Sequence, residues 1–229
     1  MNTTTAFRNL AMAVAAMAVL LVAMLALAPS AWAASQYAVV KSDGYLHQTD
    51  SNCQADYGVA WGQTENECRN ALNEVTTLFI DGNTTSIATV KVKWKSGSTY
   101  KDQVITLSGN RGEMGTHNLH LIFFLKPSGG GQNRLSQMQD WYQFANLKSL
   151  VGVAGLENTS LRSIPNGCFA GCDNLSMFGG TSCMPNVTTI GSAAFRDCDS
   201  LKSITIPASV TYIGSGPMND GAFRGCDSL

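Results

Sequence analysis

The residues with the most chemistry to offer are seven cysteines and three histidines. Cys168, Cys172, Cys183 and Cys198 carry four thiols, the number a tetrahedral zinc site takes. Two of them, however, recur: Cys172 and Cys198 hold the same place in a repeated phrase as Cys226. A residue that returns with every repeat serves packing, so no metal is expected here. His117 and His120 would point to opposite faces of a strand and do not share a metal either. Gly129-Gly130-Gly131 lacks the Gly-Lys-Ser/Thr that completes a phosphate loop. Neither G-x-S-x-G nor H-E-x-x-H occurs, and no pair of carboxylates can be placed across a cleft. No catalytic residue and no cofactor are therefore expected. A formal net charge of -1 lacks the basic excess of a nucleic-acid binder, so no nucleic-acid partner is expected.

Redox chemistry depends on compartment, and the N-terminus indicates the compartment. Met1–Asn9 is polar with one basic side chain, Arg8, and 10–28 is an unbroken apolar stretch. Pro29 and Ser30 break it, and Ala31-Trp32-Ala33 offers the small residues of a signal-peptidase site. Residues 1–33 read as a signal peptide cleaved after Ala33, which leaves no membrane span in the mature chain. The alternative is an uncleaved signal anchor, since about 19 apolar residues can cross a bilayer. Either way the remainder is exported, to the cell surface or beyond. Cys53 and Cys68 precede the repeats, and in an exported chain they are expected to pair. Closing that loop would stabilise the fold by roughly 3 kcal/mol. The alternative is two separately buried thiols. Whether Cys168 and Cys183 pair stays open.

Residues 35–128 show no repeat and read as a small α+β or mostly β domain. Thr64-Glu65-Asn66-Glu67 is a capping box, and Cys68, Ala71, Leu72 and Val75 share one helical face, which predicts a helix at 65–75. The stretches 77–80 and 86–94 flank Asp81-Gly82-Asn83, a hairpin-type turn. Val90, Val92 and Trp94 alternate with Lys91, Lys93 and Lys95, which puts the lysines on the solvated side of a half-buried strand. That row would otherwise suit a polyanion, but three charges give little affinity at physiological salt. Further strands are expected at 103–107 and 118–125. A Gly-rich junction, 129–133, ends the region.

From 134 to 229 the sequence repeats itself. Phe169-Ala-Gly-Cys172-Asp-Asn-Leu175 matches Phe195-Arg-Asp-Cys198-Asp-Ser-Leu201 and Phe223-Arg-Gly-Cys226-Asp-Ser-Leu229. Phe144-Ala-Asn-Leu147-Lys-Ser-Leu150 is a fourth copy with Leu at the Cys position. The closing leucines are spaced by 25, 26 and 28 residues. Upstream of each Phe stands an apolar pair: Leu135/Met138, Leu161/Ile164, Val187/Ile190 and Val210/Ile213. Leu201-x-x-Ile204-x-Ile206 has the L-x-x-L-x-L form of a leucine-rich repeat, and the period lies in that class's range. Units this short bury their apolar stripe only against each other, so they stack into a solenoid with ladders of equivalent side chains. Phe169, Phe195 and Phe223 should form a buried aromatic row and Cys172, Cys198 and Cys226 a second row beside it. Leu150, Leu175, Leu201, Ile204, Ile206 and Leu229 complete the expected core. Since the chain stops at a landmark leucine, the repeats are expected to be truncated, with Phe223, Cys226 and Leu229 more exposed than their equivalents.

Residues 190–214, IGSAAFRDCDSLKSITIPASVTYIG, and 221–229, GAFRGCDSL, resemble the BspA-like leucine-rich-repeat surface proteins. The resemblance covers the repeats and not 35–128. It implies a non-enzymatic exported or surface-displayed protein that binds proteins, of a host matrix or of another cell. The competing expectation is an exported enzyme with its catalytic part in 35–128 and the repeats as a targeting device.

Overall fold

The computed structural model describes residues 36–51, 53, 56–109, 118–130, 134–139, 141–179, 184–216 and 220–229. The signal segment, His117 and Cys183 lie outside the described residues. Thr64 caps the helix as its sequence requires: its hydroxyl accepts the Glu67 N–H at 3.2 Å, and Glu67 accepts the Gln63 N–H at 2.7 Å. The helix, α1 (Glu65–Asn73), buries Cys68 and Leu72. It stops short of Val75, which instead opens β3 (Val75–Ile80). That strand is apolar on both faces, the pattern of a strand covered on both sides. It lies inside a six-stranded sheet with β1 (Gln36–Val40), β2 (Leu46–Thr49), β6 (Leu121–Phe124), β7 (Gly152–Ala154) and β9 (Met177–Phe178), ordered β2-β1-β3-β6-β7-β9. Only the β1–β2 pair is antiparallel. Phe79 and Phe123, in register on β3 and β6, stack at 5.6 Å.

This placement corrects the expected hairpin. The turn at Asp81-Gly82-Asn83 does form, with Asp81 accepting the Asn83 N–H at 2.7 Å. The segments on its two sides do not pair with each other. Strand β4 (Val90–Ser96) pairs with β5 (Thr99–Ile105) around Gly97. The physical reason is the difference in pattern: β4 alternates and has one face to bury, whereas β3 needs neighbours on both. Val90, Val92 and Trp94 are indeed buried. Lys93 stands 4.4 Å over the Tyr45 ring, and Lys91 is 3.8 Å from Asp102. Lys91 and Lys93 are thus engaged by Asp102 of β5 and by the Tyr45 ring just before β2.

The junction at 129–133 marks a change of sequence pattern and not the edge of a folding unit. Residues 36–229 form one compact unit, and β6 on one side pairs in parallel with β7 on the other. The turn before the repeats also docks on them: Gly109 N–H donates to Ala145 O at 2.7 Å. The non-repeating residues therefore continue the parallel ladder of the repeats and cover its first apolar layer.

Within the repeats a second parallel sheet forms from β8 (Ser163–Ile164), β10 (Thr189–Ile190) and β11 (Tyr212–Ile213). After it each unit makes a tight turn that carries the Phe. Four turn residues equivalent to one another adopt the left-handed conformation: Asn146 (φ 57), Gly171 (φ 71), Asp197 (φ 57) and Gly225 (φ 71). Gly, Asn and Asp are the residues that tolerate this geometry. The turns stack by backbone bonds, such as Phe169 N–H to Ala194 O and Phe195 N–H to Ala222 O, both 2.8 Å. A short β-ribbon, β12 (Ser215–Gly216) with β13 (Asp220–Gly221), occupies the inserted segment before the last Phe.

Leu150, Phe169, Cys172, Leu175, Phe195, Cys198 and Leu201 are fully buried. Phe223, Cys226 and Ile204 are half-buried at the edge of that core. Ile206, at 39% exposure, is not a core residue, contrary to expectation, and Leu229, at 53%, is more exposed than its equivalents Leu150, Leu175 and Leu201. The L-x-x-L-x-L segment 201–206 forms no strand. Gly179 takes φ 68 directly after β9, which ends extended pairing there, and no third rung joins β7 and β9 among the described residues.

Candidate functional site

The repeated residues belong to the core. The rings of Phe144, Phe169, Phe195 and Phe223 stack in one row at 5.5, 5.5 and 5.3 Å. Phe178 wedges edge-on against Phe169 at 5.2 Å and Phe195 at 4.7 Å. The fourth, Leu-containing copy thus joins the row. Beside it each cysteine thiol donates to the carbonyl of the Phe one unit back: Cys172 to Phe144 at 3.2 Å, Cys198 to Phe169 at 3.2 Å and Cys226 to Phe195 at 3.0 Å. A small side chain with a weak donor is what such a buried site takes. Burial pushes the Cys172 thiol up to about 12. Cys198 is raised by its hydrogen bond with Cys226 and by burial. The three equivalent thiols thus each tie one unit to the unit before it.

Cys53 and Cys68 are both free thiols, which corrects the expected disulfide. Cys68 projects from α1 into the apolar core, and burial raises it to about 11. Cys53 sits in the turn after β2, where it hydrogen-bonds with Thr49. The alternative reading, two separately placed thiols, describes the geometry. Cys168, also a free thiol, is buried against Met138 at 3.8 Å.

One polar cluster in 36–128 escaped the sequence reading. His47, nearly buried, has Nε2 2.9 Å from Asp43 and Nδ1 3.1 Å from Asp56. Lys41 pairs with Asp56 and holds its carboxyl well below the usual range, aided by the Gly58 N–H. With both ring nitrogens taken by carboxylates, His47 fastens β2 to the loop after it and has no lone pair turned toward a nucleophile.

A concave site lies on the outer face of the β8–β10–β11 sheet, with a volume of about 810 Å³. Its position follows from the repeat. Each apolar pair holds two outward residues between its members: Ser136-Gln137, Arg162-Ser163, Thr188-Thr189 and Thr211-Tyr212. Leu135, Met138, Leu161, Ile164, Val187 and Ile190 point inward and are buried. Register places Ser163, Thr189 and Tyr212 side by side on successive strands. Trp141, bridged to Asn166 of the next unit, closes one side. Trp141 and Tyr212 are 54% and 53% exposed. Sequence inspection located the inward pairs but drew nothing from the residues between them, although the same alignment of repeats displays them.

Parallel ladders of short strands, stacked turns and one stacked Phe per unit define a sheet-rich repeat protein of the leucine-rich-repeat kind. Residues 134–229 match the sequence model of the BspA type leucine rich repeat region, in 6 copies, and this part of the chain is a BspA-type repeat region. Two solved structures are similar: a leucine rich cell surface protein from Faecalibacterium prausnitzii A2-165 and a leucine-rich repeat protein from Bacteroides ovatus ATCC 8483. The first is 17% identical over 84% of this chain and 51% of that one, with TM-score 0.37. The second is 18% identical over 71% and 49%, with TM-score 0.34. The chain thus spans about half the length of each. No curated protein matches it. Among the described residues no helix is long and apolar enough to cross a membrane.

Proposed function

We propose that this is an exported, non-enzymatic binding protein whose repeats wind as a short solenoid and present the outer face of the β8–β10–β11 sheet to a partner. The partner is a protein of an extracellular matrix or of another cell's surface. The observation that carries the reading is the row of solvent-facing side chains on successive rungs, gathered into a concavity of about 810 Å³. A cleft of that size, within the roughly 300–1,000 Å³ of small-ligand sites, seats a protruding group of the partner. Export rests on the apolar segment and the Ala-x-Ala site at 31–33. The chain from residue 34 onward, immobilised and exposed to matrix proteins and to cell-surface extracts, should retain a partner. Thr189→Arg, which fills the middle of the row with a long charged side chain, should abolish retention with an unchanged melting curve. Retention unaffected by Thr189→Arg would place the recognition surface elsewhere.

A further inference from the structure

The repeats provide an internal standard for what each position ordinarily carries. Three of the residues that depart from it line the same pocket. Trp141 stands where the other units have Asn166, Ser192 and Asp220. Tyr212 stands where they have Gln137, Ser163 and Thr189. Arg162 stands where they have Ser136, Thr188 and Thr211. Two large exposed rings and one guanidinium thus replace short polar side chains that satisfy the fold equally well. Beside Trp141 the Tyr142 ring packs over Gly167, where an added Cβ would come within 2.4 Å of it. The left-handed backbone at Tyr142 (φ 56) is the repeat's own, shared with Gly167 (φ 60) and Ala193 (φ 55).

We infer that this pocket binds an oligosaccharide bearing a carboxylated sugar, as the glycan of the partner. The inference rests on the reading of this face as the recognition surface. The chemistry of the lining selects the class. Ring faces accept the C–H faces of pyranoses, and the hydroxyls and amide between them, Ser163, Thr189 and Asn166, exchange hydrogen bonds with sugar hydroxyls. Asn166 Oδ1 already accepts the Ser192 N–H at 2.8 Å, which leaves its amide hydrogens as donors toward the pocket. Ser163, Thr189 and Tyr212 cover two strand spacings, about 10 Å, more than one sugar ring occupies. Arg162 is the only charged side chain among the described lining residues, and its guanidinium suits a carboxylate. A peptide strand fits less well. Backbone groups of these rungs are spent on one another, with Thr188 and Thr189 N–H both donating to Arg162 O and Thr211 and Tyr212 N–H to Thr188 O. The pocket lies on the face of the sheet, so strand addition at the edge strand β11 would not fill it.

The test is titration calorimetry of the chain from residue 34 onward. The probes are hyaluronan and polygalacturonate oligosaccharides, with neutral cello- and manno-oligosaccharides of equal length as controls. Trp141→Ala and Tyr212→Ala are both at exposed positions, and circular dichroism checks their fold. Expected is binding of a uronate-bearing oligosaccharide that weakens at least about tenfold in either variant. Arg162→Gln should remove the preference over the neutral chain of the same length. Equal binding of neutral chains, or affinity unchanged in both ring variants, overturns the inference. If no oligosaccharide binds but a protein partner is lost in the same two variants, the glycan inference fails and the recognition face stands. If neither ligand responds to these variants, both fail.

Discussion

At the scale of single residues, the stacked row predicts unequal costs for equivalent side chains. Phe195 has ring neighbours on both sides and Phe178 edge-on, so Phe195→Ala should destabilise by roughly 3–5 kcal/mol in urea titrations. Phe223, half-buried with one stacked neighbour, should cost visibly less when truncated. The thiol row has the same gradient. Cys226 is half-buried and shifted downward by its hydrogen bond with Cys198, whereas Cys198 is buried and shifted upward. A maleimide reagent under native conditions should therefore modify Cys226 well before Cys198, as read by peptide mapping. The buried thiols also set an alkaline limit. Cys172 stays protonated to about 12 in the fold but ionises at the ordinary thiol value of 9.0 once unfolded. Unfolding then releases a proton, so this contribution is fully present below pH 9.0 and lost as pH rises toward about 12. Denaturation midpoints across that interval should fall less steeply for Cys172→Ala than for the unaltered chain.

At the scale of elements, the turn after each Phe carries more of the architecture than the strands do. Its rungs are two or three residues long, and most depend on the next turn to hold them. The left-handed position in that turn is filled by Asn146, Gly171, Asp197 and Gly225. Gly171→Ala should cost about 1–2 kcal/mol from backbone geometry. The new Cβ would also lie 2.5 Å from Asn146 Oδ1. Gly129→Ala, with nothing within 4 Å, is the control and should be close to neutral in the same thermal melts.

For the molecule as a whole, the shared sheet predicts one cooperative unit where the sequence pattern indicated two. Trp61 and Trp94 report on the non-repeating residues, and far-ultraviolet dichroism reports on all strands. Fluorescence and dichroism melts should coincide. Gly109 is one of the points at which the two halves meet backbone to backbone. A Cβ at that position would lie 2.0 Å from the Asn146 carbonyl oxygen. Gly109→Val should therefore lower both transitions together, by more than about 3 kcal/mol. Two separated transitions would contradict the single unit.

Much of this was readable from residue types alone, because a repeat is a local signal printed several times. The Phe and Cys rows, the inward apolar pairs and the capping box at Thr64 needed no coordinates: each depends on spacing within one short segment. The left-handed turn was equally present, as Asn, Gly, Asp and Gly at one repeat position, and the outward residues Arg162 and Tyr212 stood in the same alignment. What spacing does not contain is which strand lies beside which. Val75–Ile80 is apolar on both faces and would suit any buried neighbour; only the parallel registers with Gln36–Val40 and Leu121–Phe124 place it. The same long-range pairing joined 36–128 to the repeats, left Ile206 in solvent, and set Trp141 beside the sheet that carries Tyr212. Side-chain pattern states which surfaces must be covered, and tertiary structure chooses the cover, because partners distant in the chain share no local signal.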